Sequence, residues 1–144
     1  MKTKFVSQNV SQTKKIAFDF AKKILKLKNK ESAVVIGLSG ELGSGKTAFA
    51  QGFAKALSVK ERIHSPTFVL MKKYSVLIHI DAYRIKKSKE IIDLGWKKMI
   101  NNSENIILVE WVENIKKILP QNYFLAKFFH LDKNKRCIDI CHIK

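Results

Sequence analysis

The chain has 144 residues, enough for one domain with a sizeable core and too few for two domains of ordinary size. With 46% hydrophobic and 28% charged residues, the composition excludes a disordered or fibrous protein. The formal net charge of +16 indicates a polyanionic partner such as nucleic acid, anionic lipid or nucleotide. Because only three of the 28 basic residues are arginine, a proteome-wide bias toward lysine explains the charge equally well.

Membrane and secretory features are not expected. The sequence contains no run of about 18 apolar residues, and residues 1–10 lack the apolar core of a signal peptide. Its two cysteines, Cys137 and Cys141, have no zinc-type spacing and lie too far apart on one strand to form a disulfide easily. We therefore predict a cytoplasmic protein with free thiols.

The first elements along the chain are a strand, a helix and a second strand. Residues 3–8 could form a short edge strand. From residue 11 to about residue 28, apolar side chains recur at helical spacing, with Asn9 or Ser11 as the N-cap. Residues 33–38 are continuously apolar, which is typical of a strand buried on both faces of a parallel sheet.

The rest of the chain predicts further strands that alternate with helices. The predicted helices cover residues 46–57, 88–100 with a break at Gly95, and 112–119 before Pro120. The predicted strands cover residues 67–74, 76–81, 105–110, 123–131 and 136–143. A polar turn joins the last two strands and indicates a hairpin. The sum is a single α/β domain with a buried core sheet and antiparallel strands at the C-terminal end.

A phosphate-binding loop is the strongest motif. Residues 40–47 match the pattern G-x-x-x-x-G-K-[ST], and they lie between a buried strand and a helix as that pattern requires. The glycines let the backbone turn tightly and direct N–H groups at phosphate oxygens. Lys46 can reach the β- and γ-phosphates, and Thr47 can offer its hydroxyl to Mg²⁺. The candidate nucleotide-binding residues are Gly40, Glu41, Leu42, Gly43, Ser44, Gly45, Lys46, Thr47 and Ala48.

Two acids that end predicted strands, Asp81 and Glu110, are candidates for the metal side of this site. One could hold Mg²⁺ while the other orients the attacking water, and spacing alone does not rank them. Arg84 is a candidate for stabilising a transferring phosphoryl group or for a simple ion pair with one of these acids. His64 and His79 are candidates for general bases or for hydrogen-bonded structural residues.

Four motifs follow one another in a fixed order, at residues 40–47, 65–68, 79–84 and 108–111. Together they resemble the TsaE (YjeE) family of small bacterial ATPases. The resemblance implies a P-loop NTPase fold, a three-layer sandwich with a mostly parallel central sheet. It also implies that ATP and Mg²⁺ bind, and that the chain acts with the proteins TsaD and TsaB to make N6-threonylcarbamoyladenosine (t6A) in tRNA. Hydrolysis is then weak in the isolated chain, and tRNA is reached through the complex.

The resemblance also assigns roles to single residues. Glu110 matches the metal-side acid, together with the Thr47 hydroxyl, and Asp81 matches the family's other essential acid. The implied catalytic residues are therefore Asp81 and Lys46.

Further residues are implied less directly. The segment 65–67 resembles the family's switch segment, and Trp111 matches the tryptophan beside the metal-side acid. Thr13 and Arg136 are candidates for contacts on the adenine side of the nucleotide.

Two other functions compete with this hypothesis. One is a small P-loop kinase that phosphorylates a small-molecule acceptor. Such a kinase normally has an arginine-rich lid, whereas this chain has only three arginines. The other is a nucleic-acid-binding protein whose affinity is regulated by nucleotide. Acceptor-dependent phosphate transfer and steeply salt-dependent tRNA binding distinguish these functions.

Overall fold

The computed structural model describes residues 2–27, 31–63 and 70–144. The predictions for His64, for the switch segment 65–67 and for the start of the strand at 67–74 therefore lie outside the described residues.

The elements follow one another in the predicted order. They are β1 (Lys2–Ser7), α1 (Val10–Leu27), β2 (Val34–Ser39), α2 (Lys46–Ala56), β3 (Met71–Tyr74), β4 (Leu77–Asp81), α3 (Lys89–Ile92), α4 (Trp96–Ile100), β5 (Ile106–Glu110), a 3-10 helix (Val112–Ile118), β6 (Tyr123–His130) and β7 (Arg136–Ile143).

All strands of the described residues belong to one sheet in the order β1-β7-β6-β2-β5-β4-β3. The inner strands β6, β2, β5 and β4 run parallel to one another. The hairpin of β6 and β7, and the edge strands β1 and β3, pair antiparallel. This arrangement confirms the predicted fold class, and it places the end of β2 at the centre of the sheet, where the phosphate loop begins.

Two layers of helices cover the sheet. Along β2, Ile36 and Leu38 pack on the side of α1 and α2, whereas Val35 packs on the side of α3, α4 and the 3-10 helix. This alternation follows from the two-residue period of a strand. The side of α1 and α2 also holds a cluster of aromatic rings around Phe20 and Phe49. Burial of each such side chain contributes about 1.5–3 kcal/mol, so α2 and the loop before it are held firmly on the sheet.

Local signals explain where several helices begin and end. Asn9, rather than Ser11, caps α1, because its Oδ1 accepts a hydrogen bond from the backbone N–H of Gln12 at 2.9 Å. The helical stretch predicted at 88–100 divides into α3 and α4 at Gly95, whose φ is 95°. In the described ranges, no helix has both the length and the apolar character needed to cross a bilayer.

Candidate functional site

The phosphate loop joins β2 to α2 through glycine conformations that other residues rarely adopt. Gly43 and Gly45 have φ values of 77° and 108°. At Gly40, an added Cβ would lie 2.8 Å from the backbone oxygen of Phe128 on β6, so the loop passes too close to the sheet for a side chain. No side chain caps the start of α2. The N–H groups of its first turn are therefore available to an anion.

The Lys46 side chain lies inside this loop. Its ammonium group donates to the backbone oxygens of Gly40 and Glu41, the latter at 3.0 Å. It also lies 4.0 Å from the centre of the Trp111 ring, a cation–π contact. Burial lowers the pKa of Lys46 from its ordinary value, while the nearby acids, Glu110 first among them, oppose that shift. The loop thus holds a buried amine where a phosphate group is expected.

The two predicted metal residues meet beside this amine. Thr47, in the first turn of α2, donates its hydroxyl to Glu110 Oε1 at 3.2 Å. Glu110 ends β5, next to β2 in the sheet, and is 3% exposed. Its second oxygen, Oε2, lies 2.6 Å from Nε2 of His79 on β4.

Asp81 reaches the same place from the neighbouring strand. It ends β4 and pairs directly with Glu110 in the sheet register. Its Oδ1 accepts a hydrogen bond from the backbone N–H of Tyr83 at 3.0 Å, which orients the carboxylate at the strand end. Asn114 supports the turn that follows by donating to the Ala82 oxygen at 2.8 Å.

These side chains share one cavity of about 310 Å³. It is lined by Leu42, Gly43, Gly45, Lys46, Thr47, Ala48, Asp81, Tyr83, Glu110 and Trp111. The structure therefore brings the predicted lysine, threonine and both acids together. Arg84 is exposed and does not line this cavity.

A second cavity, of about 390 Å³, adjoins the loop on its other side. It shares Gly43, Gly45 and Ala48 with the first cavity, and Thr13 and Arg136 line it as well. Thr13 is buried, and its hydroxyl shares a 2.8 Å hydrogen bond with Ser7.

Arg136 ties the hairpin to the phosphate loop. Its Nη2 donates to the Gly43 oxygen at 3.3 Å, and its Nη1 donates to three carbonyl oxygens of the hairpin turn. Asp132 in this turn accepts hydrogen bonds from the backbone N–H groups of Lys135 and Asn134, which lower its pKa. Hydrogen bonds thus connect the hairpin turn both internally and to the loop.

Sequence reasoning missed three features of the site. It did not predict that His79 contacts Glu110, that Tyr83 packs 4.9 Å from the Trp111 ring, or that Asn114 supports the strand end. The sequence did signal the face on which His79 lies, since His79 is two residues before Asp81 and strand alternation places both on the same face, but it did not signal the contact with Glu110.

The residues present fit Mg²⁺. In the part of the chain that the structure describes, no three histidine, cysteine or acidic side chains cluster into a closed metal cage. Magnesium usually takes only one or two protein oxygens and fills its remaining positions with water and substrate phosphates. Thr47 and Glu110 offer two oxygens of this kind at the edge of the phosphate loop.

The fold and the site define the class of the protein. A glycine-rich phosphate loop between a central parallel strand and a helix, inside this sheet, is a P-loop NTPase fold. In agreement, the crystal structure of YdiB from Bacillus subtilis matches all of this chain and 87% of its own, with a TM-score of 0.77 and 28% identity.

Sequence comparisons then give the family. The model of the family described as "Threonylcarbamoyl adenosine biosynthesis protein TsaE" matches residues 7–138. The TsaE protein of Rickettsia felis is 36% identical over 140 residues, which cover 94% of this chain and 77% of that protein. The TsaE protein of Rickettsia prowazekii is 38% identical over 133 residues, which cover 89% of this chain and 90% of that protein. The chain belongs to the TsaE family of tRNA threonylcarbamoyladenosine biosynthesis proteins, which confirms the resemblance carried by the four motifs.

Proposed function

We propose that this chain binds ATP with Mg²⁺ and hydrolyses it to ADP and phosphate, as an accessory protein that acts with TsaD and TsaB in t6A formation. One observation carries the proposal. Lys46, Thr47, Asp81 and Glu110 come from three separate elements and line one cavity at the end of the phosphate loop.

The nucleotide is held mainly by its phosphates. The loop backbone and the first turn of α2 supply N–H groups, and the Lys46 ammonium exchanges its carbonyl partners for phosphate oxygens. The second cavity, with Thr13 and Arg136 in its lining, takes the nucleoside end, because it shares three residues with the first cavity.

The two acids, Glu110 and Asp81, have different roles in metal binding and hydrolysis. Thr47 and Glu110 hold Mg²⁺, which when bound neutralises charge on the phosphates. Asp81 faces the same cavity and orients the attacking water or accepts its proton. Lys46 stabilises the negative charge that develops on the transferred phosphoryl group.

We place the partners at the rim of the cavity. Leu42 and Tyr83 line the cavity, yet they are 75% and 51% exposed, so another protein can contact the site there. Hydrolysis by the isolated chain is then slow and is stimulated by TsaD and TsaB, and tRNA is reached through that complex.

The test measures ATP binding by calorimetry and ADP formation, with the chain alone and with TsaD and TsaB. The proposal expects Mg²⁺-dependent binding and partner-stimulated ADP formation with water as the acceptor. A chain that binds no ATP contradicts it. ADP formation that requires an added small molecule, with phosphate recovered on that molecule, shows the competing kinase instead.

A further inference from the structure

Glu110 is a buried carboxylate whose two oxygens have different partners. Oε1 accepts the Thr47 hydroxyl at 3.2 Å, on the side of the cavity. Oε2 lies 2.6 Å from His79 Nε2, and the His79 side chain is 1% exposed. Burial of a carboxylate costs free energy unless the carboxylate is hydrogen-bonded. The histidine contact therefore stabilises Glu110 in its buried position.

The hydrogen on the His79 ring belongs on Nε2. A carboxylate oxygen only accepts hydrogen bonds, so the nitrogen 2.6 Å away must donate. The other nitrogen, Nδ1, is buried without a hydrogen-bond partner among the described residues. A hydrogen on Nδ1 would leave an unpaired buried donor, which is unfavourable. Both nitrogens therefore indicate the same tautomer.

We propose that His79 is a positioning residue for Glu110. By holding Oε2, it fixes the rotation of the carboxylate so that Oε1 stays beside Thr47 and the metal position. His79 does not line the cavity, so it acts only through Glu110. This inference rests on the proposed function, since it takes Mg²⁺ to bind at Thr47 and Glu110.

The same strand then supplies two roles. β4 carries His79 and, two residues later, Asp81, and the strand period directs both side chains to the face on which Glu110 lies. The first residue orients the metal-side acid, and the second faces the cavity itself.

Two substitutions separate this role from simple packing. His79→Leu fills the buried space but removes the donor. His79→Gln keeps an amide donor near the place of ring Nε2. Loss of a partner that orients a metal ligand typically costs 10- to 100-fold in metal affinity.

The first test titrates Mg²⁺ into each variant with ATP and follows nucleotide binding, with a parallel measurement in EDTA. We expect His79→Leu to match wild type in EDTA but to need about 10 to 100 times more Mg²⁺ for half of the metal-dependent gain. His79→Gln stays within a few-fold of wild type. The control is His142→Leu, because His142 stacks on Phe124 at a ring distance of 4.3 Å and lines neither cavity of the site.

An unchanged Mg²⁺ midpoint in folded His79→Leu overturns the inference while leaving ATP binding intact. A wild-type chain that binds no ATP overturns the proposed function and the inference together. A second measurement needs neither nucleotide nor variant. NMR of the metal-free chain with ¹⁵N-labelled histidine should show a hydrogen on His79 Nε2, and a bare Nε2 would overturn the inference.

Discussion

At the scale of single residues, Lys46 is expected to contribute directly to nucleotide affinity. Its ammonium group is buried in the loop and is already bonded to backbone oxygens that phosphate oxygens would replace. A hydrogen bond to a charged group contributes about 1.5–3 kcal/mol. We expect Lys46→Ala to weaken ATP binding by about 10- to 100-fold, measured by calorimetry.

A matched control for this variant lies on the same helix. Lys55 near the end of α2 is exposed and far from the loop in sequence. Lys55→Ala should bind ATP as wild type does. Equal losses in the two variants would show that general positive charge, rather than the loop amine, attracts the nucleotide.

Substitutions of the two acids, Asp81 and Glu110, should affect different properties of the protein. Asp81→Asn removes a carboxylate that faces the cavity but leaves the loop and the pair of Thr47 and Glu110 in place. We expect ATP affinity within a few-fold of wild type and ADP formation reduced by about 10²- to 10⁴-fold. Glu110→Gln should instead lose most of the Mg²⁺ dependence of binding. Asp93→Asn, at the exposed C-cap of α3, serves as the control, and normal turnover by Asp81→Asn would refute the role given to Asp81.

At the scale of elements, the crossing of α1 and α2 depends on a glycine. A Cβ at Gly52 would clash with the backbone of Lys14, 2.6 Å from its Cα. We expect Gly52→Ala to lower the free energy of unfolding by about 1–3 kcal/mol, because the helices must separate. Urea unfolding followed by circular dichroism measures this change. Lys55→Ala is again the control, and an unchanged unfolding midpoint for Gly52→Ala would contradict the close approach of Gly52 to Lys14.

The hairpin of β6 and β7 makes a separate prediction through Arg136. Because this arginine lines the second cavity, we expect Arg136→Ala to weaken binding of ATP several-fold and to leave inorganic triphosphate binding nearly unchanged. The comparison is made by competition at constant ionic strength. Lys127→Ala is the control, because Lys127 is an exposed residue of β6 that lines neither cavity of the site. Equal weakening of both ligands would assign Arg136 to the phosphates or to loop stability instead.

Elements were predictable where the signal is local. The apolar run before Gly40 and the loop pattern together gave β2, the loop and α2, because strand burial and phosphate binding each need particular residues in sequence. The division of 88–100 at Gly95 was visible for the same reason. The contact of His79 with Glu110 could not be predicted from a local pattern, because it joins residues 31 positions apart and depends on β4 lying next to β5. The resemblance to a known family, rather than any local pattern, suggested Thr13 and Arg136.

At the scale of the whole molecule, most of the net charge of +16 lies outside the loop cavity, whose lining includes one basic residue, Lys46. Lys46 is buried there, whereas the lysines of α1 at positions 14, 15, 22, 23 and 26 are exposed on a helix that packs its other face on the sheet. Dissolved salt screens the electrostatic interactions of solvent-exposed lysines such as these. The described strands form one seven-stranded sheet, and the phosphate loop follows β2 near its centre.

We propose that this loop and its acids hydrolyse ATP in support of t6A formation. The most direct measurement is the rate of ADP formation from Mg²⁺ and ATP, for wild type and Asp81→Asn, with and without TsaD and TsaB. We predict slow turnover by wild type alone, faster turnover with the partners, and almost none in either condition for Asp81→Asn. Partner-independent or absent hydrolysis by wild type, or full activity in Asp81→Asn, would contradict the proposed function.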